Sequence, residues 1–167
     1  MKRLVIICLT ALSSYGYAQK TITSNTIINK SNTKIMETEA KKVVTEFLTA
    51  VQNGDNQKLA ELLSPEIKWS QPGNNRVSGI KNSNMEVFQM VGKMFELSSN
   101  TLRLADIKSI SVNGNKVACL LHWNAAQPAG GVLDVDNIDV YTVENGQITN
   151  ADIYSADLAK ENAFWGE

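Results

Sequence analysis

The apolar residues within 36–51 recur every three to four positions, which is the spacing of a helix with one buried face. The motif NGD at 53–55 ends this helix, because glycine suits the position just past a helix end and aspartate can cap the next helix. A short second helix is predicted up to Pro65, since the residue before a proline disfavours helix. Ser83 and Glu86 have the spacing of a capping box and predict a third helix. We expect that helix to bury Phe88, Val91, Met94 and Phe95.

The rest of the chain alternates apolar and polar residues, which predicts β-strands. A short strand around Ile67 and Trp69 ends at Pro72-Gly73. Four longer strands follow as two hairpins, with turns predicted at Asn113-Gly114 and Asn145-Gly146. The order of helix, helix, strand, helix and four strands indicates an α+β domain, with its helices on one face of an antiparallel sheet.

The N-terminus has the features of a secretory signal peptide over residues 1–18. It has a positive start, a short apolar run and small residues at Gly16 and Ala18 before a cleavage site. The apolar run is too short to span a bilayer. Residues 19–35, rich in Thr, Ser and Asn, predict a flexible polar lead-in, and residues 36–167 then form one domain. We therefore expect export, periplasmic or secreted, after cleavage near Ala18, with no membrane span in the mature chain.

Composition excludes several kinds of site. Cys119 is the single cysteine of the predicted mature chain and His122 is the single histidine, so neither a disulfide framework nor a zinc site of Cys and His can form. The formal charge of −1 and the absence of a Lys/Arg cluster argue against nucleic acid as a partner. We expect no metal and no organic cofactor.

Four stretches, in this order, resemble the nuclear transport factor two-like superfamily, which includes the SnoaL-like polyketide cyclases and the ketosteroid isomerases. The resemblance implies a cone-shaped fold, in which three N-terminal helices pack against a strongly curved, mostly antiparallel sheet that encloses a mostly apolar cavity. It also implies a homodimer, since many relatives pack sheet against sheet. The stretches are VVTEFLTAVQNGDNQKLAELLSPEIKW (43–69), QPGNNRVSG (71–79), the helix from Ser83, and IDVYTVENGQI (138–148).

Asp139 lies between Ile138 and Val140 in a predicted strand, although aspartate is a poor strand former. The resemblance places it where ketosteroid isomerases hold a protonated aspartic acid, which donates a hydrogen bond to a developing oxyanion. Two other positions depart from that family. Phe47 stands in place of an oxyanion-binding tyrosine, and Gln71 stands in place of a general-base aspartate. Neither residue can do that chemistry, so steroid isomerisation by that set of residues is not expected.

Further candidates for the cavity follow from side-chain alternation and from the resemblance. Alternation turns Asn137 and Tyr141 to the same side as Asp139. The resemblance adds three residues of the neighbouring strand, two of the first strand and two apolar helix residues as ligand contacts or walls. These are Leu120, His122 and Asn124, then Trp69 and Gln71, and finally Phe47 and Met94.

Two functional hypotheses remain open. In the first, His122 is a general acid or base and Asp139 stabilises negative charge on oxygen, so the protein isomerises, cyclises or hydrates a small, largely apolar carbonyl compound. In the second, both residues are satisfied by neighbouring groups, and the fold binds a ligand or another chain without catalysis. The C-terminal AFWGE either covers the cavity mouth or meets a partner. The face of the last strand that carries Asp152 and Tyr154 also stays open.

Overall fold

The computed structural model describes the backbone of residues 13–166 and the side chains of residues 30–166. The chain divides into two compact units, residues 1–35 and residues 36–167. The helices are α1 (Ser13–Asn53), α2 (Asn56–Leu62), α3 (Asn84–Leu97) and α4 (Leu158–Trp165). The strands are β1 (Leu63–Gln71), β2 (Gly79–Lys81), β3 (Arg103–Asn113), β4 (Lys116–Ala126), β5 (Val132–Glu144) and β6 (Gln147–Ser155).

The six strands form one sheet in the order β2-β1-β6-β5-β4-β3. Strands β1 and β6 run parallel, and every other neighbouring pair runs antiparallel. The predicted α+β class is therefore confirmed, with a mostly antiparallel sheet. The strong curvature of the sheet implied by the resemblance is not confirmed. Helix α4 also adds a fourth helix to the three that were expected.

Helix α1 begins at Ser13, well before residue 36, where the hydrophobic pattern predicts its start. The stretch 19–35, expected as a flexible lead-in, is therefore helical in its backbone. Thr, Ser and Asn are each at most about 0.7 kcal/mol less favourable than alanine in a helix, so their abundance disfavours a helix without excluding one. Residues 1–12 of the predicted signal peptide lie outside the described residues, and its cleavage stays a prediction. None of the described helices is long and apolar enough to cross a membrane.

Local sequence signals account for most helix starts and turns. Asp55 and Ser83 each accept a hydrogen bond from the backbone N–H three residues later, at 3.0 and 3.2 Å, which confirms both predicted N-caps. Asn145 and Gly146 both have positive φ, as a two-residue type I′ turn requires. The turn between β3 and β4 falls one residue later than predicted, at 114–115, because residue 113 still pairs with β4.

The core lies where the inner face of the sheet meets the helices. The buried residues of α1 follow the predicted stripe and include Ala40, Val43, Val44, Phe47 and Leu48. On α3 the buried residues are Val87, Met90 and Met94. The expected burial of Phe88, Val91 and Phe95 is incomplete, because these side chains border an open cavity instead of packed atoms.

Candidate functional site

A cavity of about 410 Å³ lies between the inner face of the sheet and helices α1, α3 and α4. Its volume is in the range of pockets that hold small molecules. Exposed polar residues of its lining mark the opening, at Gln52, Asn53, Asn56 and Arg103. Apolar side chains make up most of the remaining wall, so a molecule that fills this cavity must itself be largely apolar.

The inner face of β5 carries three polar side chains into this cavity. Asn137, Asp139 and Tyr141 all line it and are 6%, 2% and 1% exposed. They share one face, as the alternation of the strand predicts. In the sheet register, Asp139 lies between Cys119 of β4 and Ile153 of β6, so its neighbours in the sheet give it no compensating charge.

The surroundings of the buried Asp139 side chain favour its protonated form. Tyr141 Oη donates a hydrogen bond to Asp139 Oδ2 at 2.8 Å, whereas Oδ1 has no hydrogen-bond partner among the described residues. Burial raises the pKa of Asp139 to about 7, the Tyr141 hydrogen bond opposes this rise, and the charge of Glu161 adds to it. Near neutral pH the carboxyl is therefore partly protonated, and Oδ1 can then donate a hydrogen bond.

Tyr141 is the centre of an aromatic cluster. Its ring meets Phe47 and Trp69 edge-on, with centroids 5.5 and 6.3 Å apart. Burial raises the pKa of Tyr141 well above its usual value, and Asp139 adds to the rise, so the phenol keeps its proton and is the donor. Trp69 Nε1 donates a hydrogen bond to Gln71 Oε1 at 3.1 Å. The cavity lining contains Phe47, Trp69, Gln71 and Met94, and their contact with a ligand stays a prediction.

The candidates on β4 point away from the cavity. Cys119 is fully buried beside Asp139, so alternation turns the neighbouring positions of β4 to the outer face of the sheet. On β6, Asp152 and Tyr154 take the same outer face. Leu120, His122 and Asn124 were expected to face the cavity, and this prediction was wrong. A shift of one residue in register moves every side chain of a strand to the other face of the sheet, and these three lie on the outer face.

On the outer face, His122 lies between two carboxylates. Its Nδ1 is 2.7 Å from Asp136 Oδ1, and its Nε2 is 3.1 Å from Asp134 Oδ1. Lys108 Nζ lies 2.6 Å from the same Asp136 oxygen. The hydrogen bond from Lys108 makes the largest contribution to lowering the pKa of Asp136, and the hydrogen bond from His122 makes the next largest. The imidazole is therefore satisfied by surface charges, and it does not share a cavity with Asp139.

The C-terminal stretch forms helix α4, which was not predicted from the sequence. Asp157 caps this helix by accepting a hydrogen bond from Lys160 N at 2.9 Å. A capping aspartate followed by mostly helix-favouring residues is the signal that could have found it. Glu161 and Trp165 line the cavity and are 2% and 3% exposed, so the end of the chain contributes to the cavity wall.

Four buried polar atoms lack a hydrogen-bond partner among the described residues, and all four belong to residues that line the cavity. Buried polar groups are usually paired, and an unpaired one costs free energy. Their concentration around one cavity therefore points to a ligand with polar groups of its own. The atoms are Asn137 Oδ1, Asp139 Oδ1, Glu161 Oε1 and Trp165 Nε1.

The loop between β1 and β2 holds α4 in place. Asn162 Oδ1 accepts hydrogen bonds from Asn74 N at 3.1 Å and from Asn75 Nδ2 at 2.9 Å. The carbonyl oxygen of Gly166 accepts another from Arg76 N at 2.9 Å. The positions of the two cavity-facing side chains of α4 therefore depend on this loop.

Replacing Gly73 with alanine is expected to loosen α4 and to destabilise the protein. Gly73 has a φ of +95°, and a Cβ at this position would lie 2.3 Å from Asn162 Oδ1, so the variant must strain its backbone and displace an anchor. We expect urea unfolding to show a loss of about 2–3 kcal/mol. Gly114→Ala is the control, because its φ is +59° but its Cβ would meet open space, and it should cost about 1 kcal/mol. Equal losses in the two variants would contradict the anchoring role.

Neither a reactive thiol nor a metal cluster adds to the chemistry of the described site. Burial, with a contribution from Asp139, raises the pKa of Cys119 to about 12, so its thiol stays protonated and unreactive. Among the side chains that the structure describes, those of residues 30–166, no group of three or more His, Cys, Asp and Glu is placed to hold a metal ion.

Comparisons with known proteins agree with this fold. The profile of the SnoaL-like domain matches residues 44–151. No curated protein matches the sequence. Among solved structures, a protein of unknown function with a cystatin-like fold from Xanthomonas campestris is 32% identical, with a TM-score of 0.73, covering 77% of this chain and 98% of its own.

Two more distant structures are similar in fold alone. A protein from Jannaschia sp. CCS1, assigned to the SnoaL-like polyketide cyclases, is 18% identical, with a TM-score of 0.65, covering 79% of this chain and 95% of its own. TerC, co-crystallised with polyporic acid, is 13% identical, with a TM-score of 0.67, covering 77% of this chain and 99% of its own.

Proposed function

This chain belongs to the SnoaL-like domain family, and from that premise we propose that its cavity binds a small, largely apolar molecule that carries a carbonyl or enol oxygen. The observation that carries the proposal is the buried carboxyl of Asp139 and its unpaired oxygen. Its carboxyl is 2% exposed, lines an apolar cavity, and leaves Oδ1 without a partner among the described residues. A ligand oxygen placed against Oδ1 satisfies that atom and is oriented by it.

The protonation state of Asp139 supports an oxygen-bearing ligand. A carboxyl with a pKa raised to about 7 is a donor when protonated and an acceptor when ionised. It can therefore pair with a carbonyl in the first state and with an enol hydroxyl in the second. Because Tyr141 already bonds Oδ2, the carboxyl is held in one orientation, and Oδ1 is the oxygen left unpaired. Such a fixed donor in an apolar site also stabilises negative charge that develops on oxygen.

The reaction class that this chemistry supports is proton transfer at a carbon next to the carbonyl group. Isomerisation or cyclisation of a carbonyl compound, and addition of water to the C=C bond of an α,β-unsaturated one, can all use that step, and none requires a cofactor. The relative assigned to the polyketide cyclases and the relative crystallised with polyporic acid support a small organic ligand in this fold. His122 is not part of this proposal, since it lies on the outer face.

A second candidate function is binding without catalysis. The observation that favours it is the separation of His122 from Asp139 by the sheet, which removes the predicted pair of proton-transfer groups. In this case the cavity and its unpaired polar atoms serve affinity and orientation alone.

Assembly and export are further proposals from the sequence. Leu120, Ile138 and Tyr154 are neighbours in the register of the outer face, and the last two are 49% and 57% exposed. This apolar row supports a homodimer that pairs sheet against sheet. Export as a periplasmic or secreted protein, with cleavage near Ala18, rests on residues 1–18 alone.

Binding of 2-naphthol, a stable aromatic enol, tests the proposed function. Its fluorescence reports binding and proton transfer together, and we expect a Kd on the order of 0.1 mM from its size. In competition, 2-methylnaphthalene, which lacks the hydroxyl group, should bind roughly 10-fold more weakly, because it leaves Asp139 Oδ1 unpaired.

Two variants make the binding test specific. Asp139→Leu keeps a similar side-chain shape without polar atoms, and it should abolish the preference for the hydroxyl group. His122→Ala should leave both affinities unchanged, because His122 is bound by carboxylates on the other face of the sheet. No binding of 2-naphthol, or an equal preference in wild type and Asp139→Leu, counts against the proposed function.

A further inference from the structure

We propose that helix α4 completes the site, with Glu161 as the base that takes a proton from the carbon next to the ligand carbonyl and with Trp165 Nε1 as a second hydrogen-bond donor to the carbonyl oxygen. This inference rests on the proposed binding of a carbonyl compound beside Asp139. It assigns to α4 a base and a second donor that act beside the Asp139 carboxyl of β5.

The burial of Glu161 needs an explanation. Glutamate is almost never fully buried unless it is paired, yet Glu161 is 2% exposed and its Oε1 has no partner among the described residues. The side chain lines the cavity, so a ligand that fills the cavity would lie beside it. A buried carboxyl group with an unpaired oxygen in the wall of a ligand cavity is a candidate general base.

Trp165 presents the same pattern with the opposite polarity. Its indole is 3% exposed and lines the cavity, and its Nε1 has no acceptor among the described residues. Indole Nε1 is a donor only, so the group it lacks must be an acceptor. Trp69, the other buried tryptophan of the cavity, donates its Nε1 hydrogen bond to Gln71, so the unpaired Nε1 of Trp165 differs from it.

The three groups of this site have complementary hydrogen-bonding roles in the proposed step. The negative charge of Glu161 favours the protonated form of Asp139. Asp139 is thereby favoured as a hydrogen-bond donor. Asp139 Oδ1 and Trp165 Nε1 then offer two hydrogen bonds to a carbonyl oxygen, and Glu161 Oε1 is left to take the proton.

The step balances without any co-reactant. Glu161 takes the proton from the carbon next to the carbonyl, and the C–H electron pair becomes the C=C bond of an enol. The π pair of the carbonyl moves to oxygen, which accepts a hydrogen bond from Trp165 and a proton or hydrogen bond from Asp139. Return of the proton from Glu161 to carbon reverses each change. In deuterated water the proton on Glu161 exchanges, so the carbon acquires deuterium.

Deuterium uptake by 2-tetralone tests this step directly, because this ketone is apolar and its enol closely matches 2-naphthol. Mass spectrometry should show exchange at least about 100-fold faster with the wild-type protein than with buffer alone. Glu161→Gln should lose this acceleration while keeping 2-naphthol binding. Trp165→Phe should slow exchange by roughly 100-fold. Glu66→Gln is the matched control on the exposed surface, and it should exchange like wild type.

A second readout separates a role in proton transfer from a role in folding. The charge of Glu161 raises the pKa of Asp139, so Glu161→Gln should lower that pKa in a carbon-13 NMR titration. Glu161→Asp, which keeps the carboxylate on a shorter side chain, should recover part of the exchange rate. Circular dichroism checks that the variants are folded.

The possible outcomes separate the two proposals. If 2-naphthol does not bind wild type, the proposed function fails. If it binds but 2-tetralone exchanges no faster than in buffer, binding stands and the assignment of Glu161 is overturned. Exchange that persists at the wild-type rate in folded Glu161→Gln also overturns it.

Discussion

Replacing Asp139 with asparagine is expected to remove a large pH dependence from the stability of the protein. Burial raises the folded-state pKa of Asp139 to about 7, from an ordinary value of 3.8. Between these values the folded state holds a proton that the unfolded state has lost. The stabilisation that comes from this raised pKa is therefore complete below pH 3.8. It decreases as the pH rises and is lost above about pH 7. At about 1.4 kcal/mol per pH unit, the loss comes to about 4 kcal/mol.

The measurement is urea unfolding of wild type and Asp139→Asn at intervals from pH 4 to pH 8. Asparagine cannot titrate but can still accept the Tyr141 hydrogen bond, so the stability of the variant relative to wild type should rise by about 4 kcal/mol across this range. Asp136→Asn is the control on the same strand. The pKa of Asp136 is lowered, so its contribution is present at higher pH and is lost only in acid. Parallel curves for wild type and Asp139→Asn would show that Asp139 ionises normally.

Truncation of Tyr141 to alanine is expected to cost about 4 kcal/mol of unfolding free energy, within the range for large aromatic residues. Tyr141 is 1% exposed and packs edge-on against both Phe47 and Trp69. Tyr141→Phe keeps this packing and removes the hydroxyl group alone, so it should cost about 1 kcal/mol.

The two Tyr141 variants also test how the Tyr141 hydrogen bond affects the pKa of Asp139. The Tyr141 hydrogen bond lowers the pKa of Asp139, against the effect of burial. In Tyr141→Phe that pKa should therefore rise above its wild-type value, and the loss of stability with pH should extend to higher pH. Denaturant unfolding at pH 5 and pH 8 measures both effects. A Tyr141→Phe variant as unstable as Tyr141→Ala would mean that the hydrogen bond, and not the aromatic packing, dominates this part of the core.

The sequence was sufficient to predict features that depend on local patterns. Alternation placed Asn137, Asp139 and Tyr141 on one face of β5, and their burial follows from that spacing. The N-caps at Asp55 and Ser83 follow from side-chain oxygens that bond a backbone N–H three residues later. Such signals lie within a few residues of each other, so a single sequence contains all the information they need.

Features that depend on pairing between distant segments were predicted less well. The resemblance was used to assign the inward face of β4, and an error of one residue placed His122 in the cavity, whereas the register against β5 puts it outside. On that strand, the pattern VACLLHWNAA has apolar residues at both parities, so alternation alone does not choose the face. Glu161 was missed for a related reason, since a polar residue becomes part of a cavity only when a distant loop holds its helix there.

The most direct test of the central claim, that the cavity beside Asp139 binds an oxygen-bearing apolar molecule, is a crystal structure with 6-bromo-2-naphthol. The anomalous signal of bromine locates the molecule without reference to any assumed site. The account predicts a bromine peak within the cavity and the hydroxyl oxygen within hydrogen-bond distance of Asp139 Oδ1. A molecule bound only on the outer face near His122, or in the cavity with its oxygen turned toward the opening at Arg103, would contradict it.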